Sequence, residues 1–408
     1  MRSSRVSSTH STGAVTQHDR PALGPWLDSW VSQHAADLIA LRRHLHAHPE
    51  LGHSEHATTR LLMDRLRAAG LQPRVLITGT GVVCDLGTGD RLIALRADID
   101  ALPVPDAKDV PYRSTVDGLC HACGHDAHTA ALLGAAQALS EAPDLPGRVR
   151  LIFQPAEEQT PGGALGVLEA GELDGVSSVF ALHCDPRLTT GCLGVRSGPI
   201  TAAADMIEVV LRGPGGHTSR PHLTADLVYA MGRVIVDTPG LLSRRVDPRV
   251  GLSLVWGQAE SGRVANAVPQ SGLLRGTVRM LRRDIWQQAP DIVTKLVQQI
   301  VAPTGAHAEV RYTRGVPLVD NDPGATALLR AGAVAALGAE QVVDTPQSLG
   351  GEDFAWYLEQ VPGSLARLGV GGPGPEVDLH QGGFDIDERA IGVAVRVLVQ
   401  TAYAALRG

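Results

Sequence analysis

Aromatic side chains make up only 3% of the 408 residues, so any core must be built from Ala, Val, Leu and Ile. Cysteine is also scarce. Cys84, Cys120, Cys123, Cys184 and Cys192 form an odd set far below the density of a disulfide-stapled domain, which points to a reducing compartment and so to the cytoplasm. Positive charge is not in excess: 36 Lys and Arg against 43 Asp and Glu give a formal charge of -7 with the signs interspersed. No basic stripe is available to neutralise phosphates, which argues against nucleic acid as a partner. No run of about eighteen apolar residues reads as a bilayer span, so no membrane partner is expected. The first twenty residues are rich in Ser, Thr and His and lack the apolar segment of a secretory signal, and residues 1–21 read as a flexible tail. No period of about 20 to 50 residues recurs, which argues against a repeat architecture.

What is present is length, with 44% hydrophobic residues and many turn formers, 46 Gly and 26 Pro. A chain of this size is expected to split into two domains. Leu38, Leu41 and Leu45, then Leu61, Leu62 and Leu66 beyond Pro49, recur at helical spacing and predict two opening helices. Apolar runs at 82–86, 92–96, 149–153 and 179–182 read as strands, with an Ala-rich helix at 125–139. Strands alternating with helices imply an α/β fold with a mostly parallel sheet between helices.

After Gly198-Pro199 the rhythm changes. Strands at 206–211, 250–256, 271–280 and 308–312, with helices at 224–236 and between the last two strands, follow the order of a ferredoxin-like α+β unit. The expected organisation is a catalytic domain of residues 22–199 plus 317–408, interrupted by residues 200–316 as a lid or dimerisation domain.

The densest polar cluster is CHACGHDAH at 120–128, where thiols and imidazoles crowd the start of an apolar helix. Thiolate and imidazole suit zinc, nickel, cobalt or manganese, and a helix N-terminus favours a thiolate. A redox pair of Cys120 and Cys123, or surface histidines at a helix start, would give the same letters. Metal binding gains weight because Asp98, Asp100, Glu157, Glu158 and His183 follow or end predicted strands, and the C-terminal ends of parallel strands converge on one crevice. By contrast, His44, His46, His48, His53 and His56 read as a solvated helix face.

ALRADIDALPV, CHACGHDAH, FQPAEE, the His183 segment, GPGGHTSRPH, GGEDFA and LHQGGFDIDE occur in this order. Together they resemble the aminoacylase and hippurate hydrolase group of zinc-peptidase-like metallohydrolases, from about residue 42 to the C-terminus. The resemblance implies two divalent metal ions per subunit, held by Cys123, His125, Glu158, His183 and His380, with Glu157 as general base. Asp98 and Asp100 would orient ligand imidazoles. It also implies that His217 reaches across a homodimer to stabilise the oxyanion, and that Asn266 and Arg279 contact the substrate. The implied reaction cleaves an N-acyl amino acid, or an aryl-acyl conjugate, into a carboxylic acid and an amino acid. A dipeptidase or carboxypeptidase on the same scaffold, or a catalytically silent metal-binding protein, are the competing expectations. Cys120 reads as a small apolar substitution, and Gly350, Gly351, Glu352 and Asp353 as a loop facing the substrate.

Overall fold

Helices α1 (Leu23–Ala47) and α2 (His56–Ala68) form where leucines recur three and four residues apart, and Leu38, Leu41, Leu45, Leu62 and Leu66 are all buried. The structure, a computed structural model, describes residues 22–373 and 376–408, so the tail expected at 1–21 lies outside the described residues. Next come β1 (Arg74–Val75), β2 (Val82–Gly87), β3 (Leu92–Asp98), α3 (His125–Glu141), β4 (Arg148–Gln154), α4 (Ala164–Glu169), β5 (Val176–Thr189) and β6 (Leu193–Val195). After β7 (Gly198–Pro199) the chain forms β8 (Ala203–Arg212), β9 (Gly216–His217), α5 (Leu227–Arg245), β10 (Ser253–Ser261), β11 (Ala267–Val268), β12 (Ser271–Met280), α6 (Arg283–Val301) and β13 (His307–Val316). It returns through β14 (Asp320–Asn321), α7 (Pro323–Leu337), β15 (Val342–Asp344), α8 (Ala355–Leu358), β16 (Gly363–Gly371) and α9 (Arg389–Arg407).

The large sheet has the order β1-β2-β4-β3-β5-β16-β6-β15. Its centre, β4-β3-β5-β16, is parallel throughout, while β1 and β2 add antiparallel and β6 runs antiparallel to β16. The fold is therefore α/β with a largely parallel sheet. Every residue of β3 is buried, as expected of a strand covered on both faces. The two faces are covered unevenly: α1, α2, α3, α7 and α9 share one hydrophobic cluster, while the short α4 and α8 pack on the other face.

A second sheet, β10-β12-β8-β13, is antiparallel throughout, and α5 and α6 pack against it over a separate core that includes Val209, Met231, Leu274 and Val297. The chain enters and leaves this unit side by side, because β7 pairs with β14. Two sequence expectations move at their edges: α5 runs past Pro239 to Arg245, and Val250 lies in a 3-10 turn ahead of β10. Helix α9 is long and apolar enough to cross a membrane, contrary to the expectation of no such run, but 67% of its apolar window is buried in the core.

Polar side chains tie the helical face together as well. Arg42, fully buried in α1, places Nε 2.7 Å from Asp126 and donates from a second nitrogen to Asp385 at 2.8 Å. His46, one turn on, lies between Asp126 at 2.6 Å and Asp106 at 3.3 Å. This corrects the reading of the histidine cluster: His44, His48, His53 and His56 are exposed, but His46 is 0% exposed and fixes α1 to the start of α3. Periodicity could not single it out, since its carboxylate partners lie 60 and 80 residues away. Arg42→Met is expected to destabilise the fold by about 3–5 kcal/mol, because it strands two carboxylates. A urea titration showing a loss below about 1 kcal/mol would contradict that role.

Candidate metal centre

The C-terminal ends of the parallel strands deliver most of the polar cluster. Asp98 ends β3 and Asp100 follows it, Gln154 ends β4 three residues before Glu157, and His183 lies on β5. Cys123 precedes the N-terminus of α3, with Gly124 at φ +90 making the turn between it and His125. Only glycine suits that position, since an added Cβ would sit 2.8 Å from the Cys184 sulfur. Two non-glycine residues in the left-handed region flank the cluster. Ala156, at φ +55 just before Glu157, donates its N–H to Glu55 at 2.8 Å, and His380, at φ +63, donates its N–H to the Ala122 carbonyl at 2.7 Å. Strained backbone of this kind persists only where the surroundings hold it.

All five residues proposed as ligands converge. Cys123, His125 and His183 place donor atoms within 4.8 Å of one another, as do Cys123, Glu158 and His380, and again His125, Glu157 and Glu158. Within these groups His183 Nε2 lies 3.5 Å from Cys123 Sγ, and His380 Nε2 lies 3.2 Å from Glu158 Oε1. His125 Nδ1 is held by the Asp100 carbonyl at 3.0 Å and by its carboxylate at 3.3 Å, while the other Asp100 oxygen accepts the Glu158 N–H at 3.0 Å. His125 Nε2 is buried without a hydrogen bond, 4.0 Å from Glu157 and 3.9 Å from Glu158. An imidazole fixed through one nitrogen, with the other aimed into a nest of thiol and carboxylates, is the donor arrangement a metal ion requires. His128 differs: Nδ1 bonds Asp98 at 2.6 Å and Nε2 accepts the Cys184 N–H at 2.9 Å, so both nitrogens are engaged.

Electrostatics agree with that reading. Burial, then the negative charges of Glu352, Glu158, Asp353 and Asp98, push the Glu157 carboxyl well above its usual range. Burial followed by Glu158 and Glu157 does the same to the Cys123 thiol. For His125, burial opposes the charge, but Asp98, Asp100 and Glu158 outweigh it and raise the imidazole to about 10. Carboxylates and a thiol thus crowd one buried space, and divalent ions at these donors would offset their charge.

Sequence reasoning missed the clamp beneath the cluster. Arg96, buried in β3, pairs with Asp98 at 2.7 Å, Asp353 at 2.8 Å and Glu352 at 3.1 Å, and donates to Gln154 at 2.9 Å. Glu352 and Asp353 are therefore buried, whereas Gly350 and Gly351 are exposed. Glu55 was missed too, because nothing in its local sequence announces that it holds the turn before Glu157. Cys120 is a buried free thiol whose backbone pairs with Leu102, and burial raises it to about 11.

The second unit's residues stand apart from this cluster. His217 and Asn266 are neighbours, because β9 pairs with β11 and sets His217 opposite Ala267, but both are exposed and neither joins a donor group. Arg279 donates to the Leu349 carbonyl at 2.6 Å, beside the loop that carries Glu352.

A model of peptidase family M20/M25/M40 matches residues 94–404. The chain is 51% identical over 365 residues to a Rhodococcus jostii (strain RHA1) protein named as a glutamate–cysteine ligase 2-3, covering 89% of this chain and 46% of that protein, so it spans about half the relative's length. It is 40% identical over 368 residues to N-acetyl-L-cysteine deacetylase of Bacillus subtilis (strain 168), covering 90% of this chain and 87% of that protein. Its structure resembles the crystal structure of the Bacillus subtilis YXEP protein, described as a dinuclear metal binding peptidase from the M20 family, with a TM-score of 0.81 and 34% identity over 92% of this chain and 99% of that one.

The donor set predicts about two divalent ions per chain by elemental analysis after dialysis. Bound at about a thousandfold excess over Kd they should stabilise the fold by about 4 kcal/mol, so a chelator should lower Tm by several degrees. A protein that retains no zinc, manganese, nickel or cobalt, and whose Tm ignores both chelator and added metal, would contradict this.

Proposed function

Because the chain belongs to peptidase family M20/M25/M40, we propose that it hydrolyses the amide bond of N-acyl amino acids or related aryl-acyl conjugates, releasing a carboxylic acid and an amino acid. One observation carries this reading: the two adjacent glutamates have different neighbours. Glu158 groups with Cys123 and His380 as a donor, whereas Glu157 also groups with Glu352 and Asp353, away from the thiol. Amide hydrolysis needs such a division, with one carboxylate as ligand and one free to move a proton.

Two divalent ions held by Cys123, His125, Glu158, His183 and His380 would polarise the amide carbonyl and make a water more acidic. Glu157 takes the proton from the attacking water and delivers it to the departing nitrogen. Its raised affinity for protons, which comes from burial and from Glu352, Glu158, Asp353 and Asp98, suits a group that must accept and release one in the same cycle. Asp100 fixes the His125 tautomer, and Asp98 with Arg96 anchors the strand end from which both act.

In this reading residues 200–316 act as a lid. They bring Asn266 and Arg279 to the substrate, and His217 stabilises the oxyanion from a second copy of the chain. The exposure of His217, the unpaired edge of β10 and the exposed Val228, Tyr229 and Val236 on α5 support a homodimer. The five free cysteines, one of them a proposed ligand, support a reducing compartment such as the cytoplasm.

Turnover of N-acetylcysteine, N-benzoylglycine and indoleacetyl amino acids should be measured beside unmodified dipeptides, with added manganese, zinc, nickel or cobalt. Hydrolysis of the dipeptides alone would defeat the proposal. Glu157→Gln should lower kcat by about 10²- to 10⁴-fold without changing metal content; full turnover would remove Glu157 as the base. Light scattering should give the mass of two chains, with Val236→Asp shifting it toward one and reducing kcat. A fully active monomer would exclude a site completed by His217 of a second copy.

A further inference from the structure

Among the described residues three arginines are buried, and they are of two kinds. Arg42 pairs with Asp126 and Asp385, and Arg96 pairs with Asp98, Glu352 and Asp353. Arg367 is 7% exposed, and its guanidinium forms no hydrogen bond or ion pair among the described residues. The acidic groups in its neighbourhood bond elsewhere or not at all, and Glu352 Oε2 is buried without a hydrogen-bond partner among the described residues. Asp185 accepts both arms of Arg187, at 2.9 and 2.8 Å, and Glu352 Oε1 faces Arg96 at 3.1 Å and accepts the Phe354 N–H at 3.0 Å.

Register fixes the direction in which Arg367 leaves the sheet. It lies directly beside His183 in the parallel pairing of β16 with β5, so both side chains emerge on the same face. The core confirms the alternation: Leu182, Cys184, Ala366 and Leu368 pack on the side of the long helices, while Ala181 and Leu365 pack on the other side with Phe354 and Tyr357. His183 brings its Nε2 to 3.5 Å from Cys123 Sγ. Arg367 is thus one strand away from a donor of the candidate metal centre; burial lowers the proton affinity of its guanidinium, and Glu352, Asp185 and Cys123 act against that.

A guanidinium set this deep without a protein partner keeps five N–H donors in a planar fork available to a ligand that enters the site. The planar, bidentate anion that matches the fork is a carboxylate. We propose that Arg367 is a carboxylate-binding residue of this site, a role that rests on the amide-hydrolysis reading. That reaction offers two sources: the free carboxylate carried by an N-acyl amino acid, and the carboxylate formed when the acyl group is released.

The test compares metal-loaded wild type, Arg367→Met, Arg367→Lys and Arg279→Met, using N-benzoylglycine, N-benzoylglycinamide and benzoate. Arg367→Met should raise KM for N-benzoylglycine, or Ki for benzoate, by about 10- to 100-fold. Arg367→Lys keeps the charge but loses the fork, and should stay close to the Met variant; full rescue by Lys would mean a non-directional counter-charge and would overturn the proposal. A loss on N-benzoylglycine but not on the amide assigns the substrate's own carboxylate, and a loss confined to benzoate inhibition assigns the released acid. Constants within twofold of wild type in a variant with normal Tm and metal content would also overturn it. If the variants do not fold, a crystal structure of the wild type with N-benzoylglycine or benzoate decides: the carboxylate should lie about 2.7–2.9 Å from the guanidinium, and a carboxylate bound only elsewhere refutes the role. If the wild type cleaves no N-acyl amino acid, the functional reading fails by itself, while calorimetry of benzoate binding to wild type and variants still judges Arg367.

Discussion

The structure depends on burying a surplus of carboxylates at one edge of a parallel sheet. Asp98, Asp100, Glu157, Glu158, Glu352 and Asp353 gather where β3, β4 and the loop before α8 meet, and few cations are built in to offset them. Arg96 is the chief one. From the middle of a fully buried strand it binds Asp98 on its own strand, Gln154 at the end of β4, and Glu352 with Asp353 from the last third of the chain. Buried ion pairs are weak evidence of stability but strong evidence of fixed geometry, since removing one partner leaves charge without solvent. Here the pairs hold three remote segments in one arrangement.

Local geometry follows from that clamp. Asp353 accepts from Gln154 at 2.7 Å and from the Ala164 N–H at 3.0 Å, so the turn after Glu158 is held from the far side. Glu55 and Asp100 hold the same turn from the near side, through the N–H groups of Ala156 and Glu158. The left-handed Ala156 is the result, and it aims two adjacent glutamates at different neighbours. Behind the cluster, Arg42, His46 and Asp126 lock the start of α3, which makes the thiol and imidazole at its head part of a rigid body.

Much of this was legible from letters alone. The spacing of Leu38, Leu41 and Leu45 announced α1, and the apolar run before Asp98 announced a doubly covered strand, because burial on one face or two leaves its period in the sequence. The crowding of thiol and imidazole at 120–128 fitted a metal motif or a redox pair alike, and the acidic groups and His183 at strand ends tipped the reading toward metal. His46 misled, since a buried histidine and a solvated one on the same helix read alike until the opposing carboxylates are known.

The sequence by itself determined the α/β class, the order of elements and the chemical types available for the candidate centre. These are properties of local periodicity and of short motifs, and each stretch of chain carries its own. Only the tertiary structure decided which nitrogen of His125 is left free, that Arg96 and Glu55 support the site, and that the Arg367 guanidinium stands beside His183 without a partner among the described residues. Those facts depend on distances between residues tens to hundreds of positions apart. They are set when the strands pair and the core packs, and no local pattern records them.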